Sequence, residues 1–162
     1  MSHGQYDNQG LLFERRIIQW AKSLVNQVPG IDAIYDENDL RKMFGWQSMG
    51  VDVLITKGNY VIAIQTKYRK TRRREDHGIH NFVRSLEYIL EKTKKKLFMG
   101  FWISRIKPFD DNIGYLQSKN IHCVYYFDCM DILIDLASKS IFDAVQVPLP
   151  ISMPLPICSW VV

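Results

Sequence analysis

Cysteine is scarce in this chain and unsuited to a framework. Cys123, Cys129 and Cys158 are odd in number and none stands in a C-x-x-C pair, so neither a disulfide scaffold nor a recognisable zinc site is indicated. That usage predicts a reducing, intracellular compartment. Long hydrophobic runs are missing as well. No stretch approaches the ~18 apolar residues that span a bilayer, and the opening MSHGQYDNQG is polar, without the apolar core of a signal peptide. Membrane functions are therefore disfavoured. Charge of one sign is also lacking. With 21 Lys and Arg against 17 Asp and Glu, the net charge is only +4, which excludes a histone-like polycation and shifts attention to where the charges sit. No internal repeat is visible.

What is present fits one folded domain. Apolar residues make up 47% of the 162 positions, which argues against disorder, and a chain of this length buries roughly 70% of its unfolded surface. Four of the six prolines, Pro148, Pro150, Pro154 and Pro156, crowd the last fifteen residues. They forbid a helix or a central strand there. The chain thus divides into a domain over 1–144 and a Pro-rich apolar tail over 145–162, which either lies across its own domain or docks on a second subunit, as in a homodimer or a larger complex.

The organising stretch is GVDVLITKGNYVIAIQTK, residues 50–67. Two runs rich in Val, Ile and Thr flank Gly58-Asn59, a two-residue hairpin turn of type II′ in which glycine accepts the positive φ. If those residues form the loop, Lys57 pairs with Tyr60, Thr56 with Val61 and Ile55 with Ile62. Continued, that register sets Asp52 opposite Gln65, with Cβ atoms about 5 Å apart. Side chains alternate along a strand, so Lys67 shares the face of Gln65.

Upstream, Phe13, Ile17, Ile18, Ala21, Leu24, Val25 and Val28 recur at spacings of three and four, which predicts an amphipathic helix from Gly10 to Val28 ended by Pro29-Gly30. Glu14 lies on its core-facing side without a cation one turn away. An isolated carboxylate there needs a partner from elsewhere, because unpaired buried charge is costly. A strand over Ile31 to Tyr35 is predicted next, then a short helix or loop from Asp36 to Trp46. After the hairpin, KYRKTRRR (Lys67 to Arg74) packs six cations into eight residues. It leaves the strand end that carries Gln65 and Lys67, so Arg69, Lys70, Arg72, Arg73 and Arg74 are candidate phosphate contacts. His77 and His80 lack further ligands at metal spacing and read as ordinary polar residues.

Periodicity next predicts a helix from Asn81, its N-cap, to about Lys96. A buried strand over Leu97 to Ile103 follows, then a helix from Asp110 to Lys119 with Asn120 at its C-terminal end. A strand over Ile121 to Phe127 precedes a last helix capped by Asp128 and running through Ala137. The alternation after the hairpin predicts parallel pairing with right-handed crossovers. The fold class is α/β, a mixed sheet made of an antiparallel three-stranded meander plus parallel strands and flanked by helices.

Two oxygen donors and an ammonium on one face, joined by a carboxylate from a helix, suit a hard divalent cation beside an anionic substrate. At these residues the chain resembles the PD-(D/E)xK nuclease superfamily: Gly10-Leu-Leu-Phe-Glu14 on the first helix, Gly50-Val-Asp52, and Gln65-Thr66-Lys67 on the following strand. Glutamine in place of the second acid is similar to the Mrr-like restriction endonuclease branch, and the G-x-x-F-E start also looks like archaeal Holliday junction resolvases. The resemblance implies a restriction-endonuclease-like core and a Mg²⁺-dependent endonuclease acting on DNA, with Mn²⁺ as a substitute. It further implies Asp52, Glu14, the Gln65 amide oxygen and the Thr66 carbonyl as metal ligands, and Lys67 as the catalytic lysine. A neutral Gln65 leaves that site one negative charge poorer, which implies weaker metal binding. The alternative is an inert nucleic-acid-binding subunit that keeps the fold.

Overall fold

The computed structural model describes residues 3–148, with side chains from residue 8; the tail beyond lies outside the described residues. Five strands form one sheet in chain order: β1 (Ala33–Asp36), β2 (Val53–Lys57), β3 (Tyr60–Lys67), β4 (Lys96–Ser104) and β5 (Ile121–Tyr125). The first three pair antiparallel, and β3 with β4 and β4 with β5 pair parallel. The mixed sheet expected from the sequence is the one observed. The helices are α1 (His3–Ser23), α2 (Glu37–Phe44), α3 (Asp76–Thr93), α4 (Asp110–Ser118) and α5 (Met130–Gln146).

Alternation along the strands builds two cores. Val53, Ile55, Ile62, Ile64, Phe101 and Ile103 point to one face and pack with Phe13, Ile17 and Ala21 of α1 and Leu133, Ala137 and Ile141 of α5. Leu54, Val61, Ala63 and Trp102 point to the other, against Ile79, Phe82, Leu86 and Ile89 of α3 and Leu116 of α4. Gly58 takes φ 60° at the hairpin turn, and Lys57 pairs with Tyr60 and Ile55 with Ile62, so the turn sets the register expected of it.

Several boundaries differ from the sequence reading, each for a local reason. The α-helical part of α1 begins at His3 and stops at Ser23, and Leu24–Asn26 tightens into a 3₁₀ turn before Pro29. The first strand is shifted to Ala33–Asp36, where pairing with β2 rather than hydrophobicity decides its ends. Asn81 does not cap α3, which starts five residues earlier at Asp76; the Asn81 Oδ1 accepts from Arg84 instead. Nor does Asp128 cap α5, whose N-cap is Cys129. That helix continues to Gln146, two residues into the span read as tail. Asn120 does take the left-handed conformation, φ 60°, just past α4, and its Nδ2 donates to the Phe98 carbonyl.

Candidate metal centre and its basic flank

The site forms at the strand ends shared by β1, β2 and β3. Asp52 precedes β2, and its N–H donates to the Ile64 carbonyl at 2.9 Å, carrying the ladder one step past the strand. The residue before it in the motif explains the glycine. A Cβ on Gly50 would stand 2.6 Å from the Asn81 carbonyl oxygen and 2.9 Å from Ser85 Oγ. Backbone of α3 thus packs flat against Gly50, whose N–H donates to Ser85 Oγ at 3.1 Å.

The Asp52 side chain is buried and hydrogen-bonded on two sides. Its Oδ2 accepts from Thr66 N–H and from Thr66 Oγ1, both at 2.8 Å. In the amide orientation that gives both ends of Gln65 a partner, Nε2 donates to the Gly50 carbonyl at 3.1 Å and to the two Asp52 oxygens at 3.1 and 3.0 Å. The Gln65 Oε1 then accepts from Lys67 Nζ at 3.3 Å. Asp52, Gln65 and Lys67 therefore meet as the hairpin register implies, and Thr66, expected only from the resemblance, joins them. The amide nitrogen, rather than the oxygen, faces the carboxylate, and a half-turn of the amide exchanges the two. Thr66 meets Asp52 through its N–H and hydroxyl.

Glu14 reaches the same place from α1, and a carboxylate the sequence reading missed completes the group. Oxygens of Glu14, Glu37 and Asp52 lie within 4.8 Å of one another. Glu37 is placed by the end of the sheet: Asp36 pairs with Val53, and Glu37, the first residue of α2, and Asp52, which precedes β2, each stand one position beyond that last pair. Asp36 also caps α2 by accepting from the Asp39 N–H, while Asp39 Oδ2 accepts from the Asp36 N–H. This capping box fixes the direction in which Glu37 leaves the strand. The signal that would have found Glu37 is that register. It was illegible because α2 and a 3₁₀ turn, not a tight turn, connect β1 to β2.

Among the described residues no Lys or Arg stands within ion-pair distance of these three carboxylates. The cost is visible at Asp52 and Glu37. Burial, and then the negative charge of Glu14, push the Asp52 carboxyl well above its ordinary range, against the opposing pull of the Thr66 bonds. Burial and Glu14 also raise Glu37. Three converging carboxylate oxygens, one of them on a buried residue, are a donor set that fits a hard divalent cation, and Glu37 adds a carboxylate where Gln65 is neutral. An open cleft of about 480 Å³ lined by Glu14, Arg15, Gln19, Glu37 and Asn38 gives access to the group.

The basic run is arranged differently. Arg69 and Arg73 both reach Glu75, at 2.9 and 3.4 Å. Arg74 bridges Asp76 at 2.8 Å and Asp111 at 2.6 Å. Arg72 donates to the Pro108 carbonyl and lies over the Phe109 ring, 4.1 Å from its centroid. Lys70 is exposed. His77 and His80 fall in the first turns of α3 outside the acidic group, and the His80 ring stacks on Tyr115 at 5.1 Å. Cys123 and Cys129 are free thiols, and burial pushes Cys123 up to about 11. No helix among the described residues is long and apolar enough to cross a membrane. No family model, curated protein or solved structure matches this chain.

Proposed function

We propose that this protein is a Mg²⁺-dependent endonuclease that hydrolyses phosphodiester bonds in DNA, as its resemblance to the Mrr-like branch of the PD-(D/E)xK nucleases implies. The observation that carries the reading is the convergence of Glu14, Glu37 and Asp52 within 4.8 Å, beside a lysine tethered through Gln65. A divalent cation held by these oxygens would supply charge neutralisation at the phosphate and a more acidic water. The protein does the rest. Thr66 fixes one Asp52 oxygen with two hydrogen bonds, so that carboxylate cannot rotate away. Gln65 holds the Lys67 ammonium on the same side, where it neutralises charge that develops on the phosphate oxygens and orients the attacking water. Glu14 enters from within α1 and Glu37 from the first residue of α2.

Purified protein should nick supercoiled plasmid with Mg²⁺ or Mn²⁺ and not with EDTA. Asp52→Ala and Lys67→Ala should each lower cutting by about 10³-fold or more while leaving most DNA binding. Cutting that survives both substitutions would sink the assignment. The second reading, a subunit that binds nucleic acid without cutting it, draws on the Gln65 amide nitrogen facing Asp52; it predicts binding with no nicking under any metal.

A further inference from the structure

On the α1 side of the sheet lies a second cleft of about 450 Å³ lined by Gln9, Tyr68, Arg69, Lys70, Arg105, Phe127 and Asp128. Three cations face one carboxylate there, so the cleft suits an anion. Its walls are built rather than loose. Arg105 donates to the carbonyls of Arg69 and Lys70, both at 3.0 Å, and lies over the Tyr68 ring at 5.7 Å. Arg69, although paired with Glu75, keeps 37% of its side chain exposed.

Phe127 is the part that folding does not explain. It is 65% exposed, directly after β5, while its neighbour Tyr126 packs into the core beneath, the rings 6.4 Å apart and inclined by 30°. One exposed aromatic is unremarkable by itself. An aromatic held at the mouth of a cationic cleft is the combination that binds single-stranded nucleic acid, where cations track the phosphates and the ring stacks on a base. A paired duplex offers phosphates but no free base face, so Phe127 distinguishes the two. The position fits as well. Tyr68 follows Lys67 directly, and Gln9 precedes Glu14 by five residues of α1, a rise of about 7.5 Å. The chain neighbour of the proposed catalytic lysine thus forms part of the cleft wall.

We infer that this cleft holds an unpaired nucleotide, its base on Phe127 and its phosphates on Arg69, Lys70 and Arg105. The substrate is then a nucleic acid with a single-stranded segment at the cut, such as a flap, a frayed end or an opened junction arm. Only the word substrate rests on the nuclease reading; the binding itself does not. The test is fluorescence anisotropy of the full chain in EDTA with a labelled oligothymidylate of about 12 nucleotides and a blunt duplex of equal length. The single strand should bind at least about 10-fold tighter. Phe127→Ala should weaken it by about 5- to 150-fold, the worth of one base stacked on an aromatic ring, without changing the duplex. Phe127→Trp should retain affinity and Phe127→Leu should behave as Ala. Equal binding of strand and duplex, an unchanged Phe127→Ala, or equally effective competition by polyglutamate each overturns the inference. A Phe127-dependent strand preference in a protein that never cuts leaves the cleft standing and removes the nuclease. Cutting of intact duplex that Phe127→Ala does not alter does the reverse.

Discussion

The carboxylates around Asp52 and the basic run after β3 lie a few residues apart in the fold and are solved in opposite ways. The basic run is the densest charge in the sequence, with six cations in eight residues. Yet a half-buried Glu75 takes two of its arginines, and Asp76 with Asp111 takes a third at the surface. The carboxylates are scattered through the sequence at 14, 37 and 52, and gather half-buried or buried, with no Lys or Arg of the described residues in ion-pair distance. Surface ion pairs cost little to make or break, whereas uncompensated buried charge must be met by protons or by something from outside. Linear charge density is therefore a poor guide to where this molecule leaves charge uncompensated.

The sharpest way to break that contrast is Asp52→Asn, which should remove cleavage and also relieve the acidic group. The sign follows from its raised folded-state pKa. The unfolded chain releases the proton near the ordinary 3.8 while the folded chain still holds it, so this carboxyl lowers stability as pH rises above about 4. In EDTA the thermal midpoint of Asp52→Asn should exceed that of the parent by an amount that grows from pH 4 upward and levels off above the raised pKa. Added Mg²⁺ should lift the parent and not the variant. A midpoint difference independent of pH contradicts the buried, uncompensated reading. Next in size, Glu37→Ala should weaken Mn²⁺ binding by titration calorimetry by about 10- to 100-fold and leave oligothymidylate binding in EDTA unchanged. Unaltered metal affinity would return the site to the set read from the sequence.

Gly50→Ala addresses the support of the acidic group. The Asn81 backbone cannot yield, so an added methyl should cost about 1–3 kcal/mol and lower the thermal midpoint by about 2–12 °C, with weaker metal binding as Asp52 shifts. The smallest effects belong to the basic flank. Glu75→Gln should release Arg69 and Arg73 and tighten nucleic-acid binding by a few-fold at low salt. Arg74→Ala, already committed to Asp76 and Asp111, should change binding by no more than about twofold. Loss of binding in Glu75→Gln would mean that the acid orders the loop for its ligand instead of restraining it.

The parts of the molecule legible in the sequence are those set by short-range rules. The Gly58-Asn59 turn fixes the β2–β3 register, and with it the meeting of Asp52, Gln65 and Lys67. Helical periodicity places Glu14 beside the buried stripe of Phe13 and Ile17. What escaped depends on contacts between distant segments. The position of Glu37 requires the β1–β2 register across an intervening helix, and the pairing of Arg74 with Asp111 spans 37 residues. The starts of α3 and α5 escaped for another reason. Both helices begin without a side-chain cap, at Glu75 and Cys129, so the polar residues that look like caps, Asn81 and Asp128, mislead.

Glu37, Asp52 and Gln65 each stand one position beyond the last paired rung, Asp36–Val53–Ile64, of three neighbouring strands. A single residue inserted in the two-residue turn at Gly58 would slide that rung, turning Gln65 and Lys67 toward the α1 face while leaving a sheet that still pairs. Loss of metal binding in such an insertion variant, with its strand content intact, would make the site a gauge of hairpin alignment rather than of folding as such.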